Sequence, residues 1–174
     1  MEDKITIGLD IGTTKISVII GKITKHGKIE ILGIGKAPSA GVIRGIVANI
    51  EKTTQSIQQA LNEASTKSGL KIKNVNVGIA GQHIKSLQHR GQIVRENLEL
   101  EIGDSDIEIL TNNMYKLIMV PGEEIIHVFP QEYIVDKEDG IYDPKGMVGV
   151  QLEANFHIIT GQTAAIKNIK KCVN

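Results

Sequence analysis

With 174 residues, the chain has room for one or two small domains, and its 41% hydrophobic content against 3% aromatic residues and no tryptophan implies an aliphatic core. Twenty basic residues balance twenty acidic ones, giving a formal net charge of zero. That scattered balance argues against a nucleic-acid-binding surface. A single cysteine, Cys172, excludes an intrachain disulfide and suits a reducing cytosol, and its lysine-rich setting gives no sign of a catalytic thiol. Met1-Glu2-Asp3-Lys4 lacks the basic n-region and apolar h-region of a signal peptide, and no apolar run reaches the roughly 18 residues of a membrane span.

The chain opens with two alternating apolar runs, residues 5–11 and 15–24, joined by Gly12-Thr13-Thr14. They read as a hairpin. The tip has two readings. Asp10-Ile11-Gly12-Thr13-Thr14 suits a polar turn. It also suits a phosphate clamp: Gly12 lets backbone approach an anion, and the amides of residues 12–15 form a nest. The hydroxyls of Thr13 and Thr14 and the ammonium of Lys15 add donors. Asp10 would meet a magnesium ion through its waters. Neither a Walker loop nor a Gly-x-Gly-x-x-Gly fingerprint is present.

A third strand is expected from Lys28 to Lys36, after a His26-Gly27 turn, and residues 38–41 read as a loop. Ile46, Ile50, Thr53, Thr54, Ile57, Leu61 and Ala64 recur at three- and four-residue spacing, predicting an amphipathic helix with Asn49 as N-cap and Gly69 as its stop. Val75, Val77 and Ile79 alternate as a strand ending at Gly81. Residues 83–95 form a more polar strand.

Residues 103–108 open a second helix, with Ser105 and Glu108 as a capping pair. Its apolar stripe is Ile107, Leu110, Met114, Leu117 and Ile118, and Pro121-Gly122 ends it. Strands near 124–136 and 147–161 follow, joined by a turn region at 139–144. A last helix starts near Gln162 and carries Ala164, Ala165, Ile166, Ile169 and Val173. It reaches Asn174 without a capping signal, so the chain reads as the front part of a longer protein. Lys71 and Lys73, and Lys167, Lys170 and Lys171, read as solvated faces. His83, His127 and His157 read as structural, because no compact ligand spacing surrounds them. The fold class is therefore mixed α/β.

Five segments in order carry a resemblance: Gly8-Leu9-Asp10-Ile11-Gly12-Thr13-Thr14-Lys15, Ala80-Gly81-Gln82-His83-Ile84, the run from Val128 through Pro130-Gln131-Glu132-Tyr133 to Asp136, Gly140-Ile141-Tyr142-Asp143-Pro144-Lys145-Gly146-Met147-Val148-Gly149-Val150, and Phe156-His157-Ile158-Ile159-Thr160. Together they resemble the N-terminal part of the FtsA family of actin-like bacterial cell-division proteins. The first motif is shared across actins, sugar kinases and heat-shock chaperones. The third and fourth are far more specific.

The resemblance implies a partial actin-like, ribonuclease-H-type subdomain with a strand-helix-strand-strand (SHS2) insertion. Residues 1–82 would be the first part of subdomain 1A, 83–161 the inserted 1C, and 162–174 the return into 1A. It implies ATP and magnesium as cofactors, with Asp10 near the magnesium waters and Gly12, Thr13, Thr14 and Lys15 on phosphate. It also implies polymerisation beneath the cytoplasmic face of the inner membrane at the division site, tethering of the FtsZ ring, and contacts of 1C with late division proteins and with FtsA itself.

Asp10-Ile11-Gly12 is the only Asp-x-Gly in the chain, and there is no Gly-Gly pair for a purine pocket. Half a nucleotide site is expected here, without the membrane anchor or the main FtsZ dock. The piece alone should be catalytically inactive and prone to self-association, its parent at most a slow ATPase. Two alternatives share the opening motif or the layout: a sugar-kinase-like phosphotransferase, which the short insertion fits badly, and an actin-like pilus-assembly adaptor.

Overall fold

The computed structural model describes residues 5–25, 27–95 and 99–174. The readings of residues 1–4 and of His26 lie outside the described residues. The chain divides into two units: Met1–His83 with Ala164–Asn174, and Ile84–Thr163.

The first unit is a four-stranded sheet with helices on one face. Strands β1 (Ile5–Ile11), β2 (Lys15–Ile23) and β3 (Ile29–Pro38) form an antiparallel meander. Strand β6 (Asn76–Gly78) pairs parallel to β1, giving the order β3-β2-β1-β6. A parallel neighbour needs a crossover, and helix α1 (Ile50–Ser68) provides it. Alternation sends Leu9, Ile11, Ile16, Val18, Ile20 and Ala37 to one face, where they bury against Ile57, Ala60 and Ala64 of α1. Ile169 and Cys172 of α3 (Thr163–Val173) join the same core. Asn49 caps α1 by accepting the Lys52 amide at 2.9 Å, and Gly69 ends it in the left-handed conformation.

Between β3 and α1 lies a hairpin that the helical spacing hid. Strands β4 (Val42–Ile43) and β5 (Ile46–Val47) pair through a two-residue loop, Arg44 at φ 51° and Gly45 at φ 78°. Two positive φ values make a type I′ turn. Ile46 therefore belongs to a strand and is exposed, not part of the helical stripe.

The second unit is an antiparallel sheet of order β7-β10-β8-β9 with one helix on it. Its elements are β7 (Ile84–Val94), α2 (Asp104–Met114), β8 (Glu123–Val135), β9 (Glu138–Ile141) and β10 (Gln151–Gln162). Leu152, Ala154, Phe156 and Ile158 of the central strand β10 bury against Leu110 and Met114 of α2, with Val128, Tyr133 and Val135 of β8 alongside.

The second unit departs from the sequence expectations at three places. The capping residue of α2 is Gly103, whose amide donates to Asp106 Oδ2 at 2.9 Å, rather than Ser105 paired with Glu108. The helix ends at Met114, well before Pro121-Gly122, and Ile118 is 99% exposed rather than core. Residues 139–141 form part of β9, while residues 147–150 lie outside β10. The β8–β9 turn is tighter than its sequence advertises. Asp136 and Lys137 both take positive φ, 48° and 77°, with no glycine between the strands.

Two side chains fix the loop that precedes β10. Asp136 accepts the Gln151 amide at 2.8 Å and the Val150 amide at 2.9 Å. Arg95, only 6% exposed, donates to the carbonyls of Gly149 and Leu100 at 2.8 Å and of Glu101 at 2.9 Å. Its Nε stands 3.3 Å from Asp106 Oδ1 without an aligned hydrogen bond. Ile102 donates to the Met147 carbonyl at 2.8 Å, and Gly146 donates to the Ile102 carbonyl at 3.0 Å. The Asp143-Pro144-Lys145-Gly146 segment is thus locked onto the start of α2.

Candidate functional site: the residue 10–15 turn

Asp10 ends the outward-facing series of β1, and the chain reverses through Gly12, Thr13 and Thr14 into β2. Asp10 pairs with Ser17 across β2, Ser17 with Lys36 on β3, and Asp10 with Gly78 on β6. That row crosses the sheet face opposite α1. Asp10, Lys15, Ser17 and Lys36, with Asn76 at the rim, line a shallow depression of about 530 Å³. The sequence reading named Asp10 and Lys15 and missed Ser17 and Lys36. Their signal was the same alternation: Ser17 is two residues from Lys15, and Lys36 lies on the outward parity of β3.

The five residues singled out from the sequence come together at one tip, with unequal freedom. The Gly12 amide donates to the Lys15 carbonyl at 3.1 Å, so it closes the turn instead of facing a ligand. A Cβ at Gly12 would stand 2.8 Å from that same oxygen, which is why glycine is required there. Thr13 Oγ1 accepts the Gly45 amide at 3.3 Å, and the Thr14 carbonyl accepts the Ser39 amide at 3.1 Å. Among the described residues, the Thr13 and Thr14 hydroxyl protons, the amides of Thr13 and Thr14 and the Lys15 ammonium have no acceptor and remain as donors. Thr13, Thr14, Lys15 and Asp10 are all exposed.

This donor set suits phosphate oxygens: hydroxyl, amide and ammonium converge on one tip, with one carboxylate beside them. It does not suit a bare metal. Among the described residues no cluster of three or more His, Cys, Asp or Glu side chains could hold an ion. A magnesium ion at Asp10 would be held through its waters and the phosphates themselves.

None of the three histidines named above belongs to this turn. His127 and His157 lie on the strands of the second unit, with the His127 ring 5.4 Å from that of Phe129. His83 is 1% exposed, and neither ring nitrogen has a hydrogen-bond partner among the described residues. Lys71, Lys73, Lys167, Lys170 and Lys171 are exposed, as solvated faces require. Among the described residues no helix is long and apolar enough to cross a membrane.

A meander-plus-crossover sheet that bears the Asp10–Lys15 turn, followed by an inserted helix-backed sheet, has the layout expected of a partial actin-like fold. In the solved structure of a PilM–PilN type IV pilus biogenesis complex, a chain superposes with a TM-score of 0.59 over 96% of this chain and 43% of that one; at 12% identity this speaks for the fold alone. Residues 81–160 match the family described as "SHS2 domain inserted in FTSA". The cell-division protein FtsA of Pseudomonas aeruginosa is 40% identical over 171 residues, covering 98% of this chain and 40% of that protein. FtsA of Neisseria meningitidis is 41% identical over 165 residues, 95% of this chain and 39% of its own. FtsA of Escherichia coli K12 is 31% identical over 170 residues, 98% and 40%. The chain belongs to the FtsA family and spans about two fifths of the length of these relatives.

Proposed function

We propose that this chain supplies the first phosphate turn and an interaction unit of an actin-like cell-division scaffold. Residues 1–82 act as the first part of subdomain 1A, 83–161 as the inserted 1C, and 162–174 as the return into 1A. The whole protein binds ATP with magnesium, with Thr13, Thr14 and Lys15 on the phosphates and Asp10 on the magnesium waters. Gly12 shapes the turn. It assembles into filaments on the cytoplasmic face of the membrane at the division site and tethers FtsZ there. Late division proteins and further copies engage the 1C unit. No residue of this chain is assigned a catalytic step.

The observation that carries this reading is the exposed donor set at residues 13–15 with Asp10 beside it, in a chain of the FtsA family. The test uses a protein extended to the length of its relatives. Calorimetry with Mg-ATP should show binding that Asp10→Ala and Thr14→Val each weaken at least tenfold. Sedimentation with FtsZ should show the two proteins pelleting together. Unchanged Mg-ATP affinity in both variants would overturn the site assignment, and transfer of phosphate to a sugar would move the protein to the kinases.

A further inference from the structure

The type I′ hairpin of residues 42–47 does more than connect β3 to α1. Its tip touches two places at once. On one side the Gly45 amide donates to Thr13 Oγ1 at 3.3 Å. On the other, Gly45 lies against the backbone of Ala80 and Gly81. A Cβ at Gly45 would stand 2.5 Å from the Ala80 oxygen and 3.0 Å from the Gly81 Cα. Gly81, at φ 153°, in turn leaves room for His83, since a Cβ there would stand 2.8 Å from His83 Nδ1. His83 is the last residue of the first unit's leading segment, buried and unpartnered among the described residues.

We propose that this hairpin is a mechanical relay: it couples the residue 10–15 turn to residues 80–83, so that what Thr13 binds is registered at the point where the chain leaves the first unit. The physics is short-range. A threonine hydroxyl that donates to a phosphate oxygen becomes a stronger acceptor through its lone pairs. The Thr13–Gly45 bond, at 3.3 Å, is longer than the usual 2.9–3.0 Å and has room to shorten. Gly45 cannot shift relative to Thr13 without changing its close packing on Ala80 and Gly81, because backbone faces backbone there with no side chain to take up the difference. His83 transmits rather than resists: with no hydrogen bond to its ring among the described residues, its packing follows Gly81.

The biological meaning rests on the phosphate reading of residues 10–15, but the coupling itself does not, and the test needs no nucleotide. Thr13→Val keeps the shape and removes the acceptor. Amide exchange and imidazole signals of the 174-residue chain are then compared with wild type. One hydrogen bond of ordinary net strength, about 1 kcal/mol, predicts roughly fivefold faster exchange at the Gly45 amide. The relay predicts that the His83 ring signals shift and that exchange at Gly81 and Gln82 rises in step, while His127 and His157 stay fixed. Thr13→Ser, which keeps the hydroxyl, should restore the wild-type values at both places. Faster exchange at Gly45 with His83, Gly81 and Gln82 unmoved overturns the relay and leaves the phosphate reading standing. So does an unchanged Gly45 amide.

Discussion

Gly35 of β3 and Ala60 of α1 meet backbone to backbone: a Cβ on Gly35 would stand 1.9 Å from the Ala60 carbonyl oxygen. Two residues back along β3, a Cβ on Gly33 would stand 2.7 Å from the oxygen of Ala64, one helical turn on from Ala60. The helix that provides the parallel crossover is therefore seated directly on the sheet, with Ala60 and Ala64 completely buried. Small residues on both sides set that spacing, and neither strand nor helix has a flexible side chain to give way.

Gly35→Ala should accordingly be among the most damaging single-methyl substitutions in the chain. Overpacking of this kind costs about 3 kcal/mol or more when the neighbour is backbone. Urea unfolding of Gly35→Ala and of Gly8→Ala makes the comparison, since a Cβ at Gly8 meets nothing within 4 Å. Equal midpoints for the two variants would refute the close seating.

The second unit should weaken in acid through Asp136. Amide donation from Gln151, then from Val150, with the Arg95 charge nearby, holds its carboxyl below the ordinary value of 3.8. A depressed folded value means the stabilisation is fully present above pH 3.8 and is lost as pH falls through the folded value. Asp136→Asn removes that dependence. It should melt lower than wild type at pH 7, and the gap between the two should narrow toward pH 3. A constant gap across that range would show that the carboxylate charge contributes nothing.

Much of this was legible beforehand, and the failures share a cause. Long periodic elements announced themselves: the strands of the opening meander, α1 with Asn49 and Gly69 at its ends, and the central strand of the second unit. The misses were short or locally odd. A two-residue strand has no period to detect, so β4 and β5 vanished into a loop and a helix start. Arg44-Gly45 and Asp136-Lys137 make tight turns without the Asn-Gly or Asp-Gly signal that usually marks them. At α2, Gly103 with Asp106 outcompeted Ser105 with Glu108, because the chain enters the helix from the Ile102 contact to the residue 143–150 loop. At the residue 10–15 tip, residue types were readable, but not that the Gly12 amide is already taken or that Thr13 holds the 42–47 hairpin.

Cys172 should behave as an interior residue. It is 3% exposed, and burial pushes its thiol above the ordinary value of 9.0. The thiolate is the reactive form, so a thiol reagent at pH 8 should label the folded chain slowly and the urea-unfolded chain completely. Equal rates in the two states would mean that α3 does not stay docked on the first unit.

The chain alone should bind Mg-ATP only weakly. One turn offers donors to one side of a phosphate chain, and its Gly12 amide is spent on the turn itself. Calorimetry that gave a submicromolar Kd would contradict this and would require donors beyond residues 13–15.

The sheet face opposite α1 should drive self-association. Past the polar row of Asp10, Ser17 and Lys36, it presents Ile19, Ile23, Ile29 and Ile31, which are 46%, 44%, 74% and 56% exposed. Contiguous apolar surface of this kind favours contact between molecules. Sedimentation should show mass rising with concentration, and Ile19→Glu combined with Ile31→Glu should reduce it. A monomer throughout for the unaltered chain would refute the expectation.

Ile84 and Gly161 are cross-strand partners at the base of the second unit. The second unit therefore begins and closes on neighbouring strands, which at this pair lie about one strand spacing, near 5 Å, apart. A guest whose ends touch opens no gap in its host. Such a segment can be gained, lost or exchanged by a gene without rethreading the sheet that receives it.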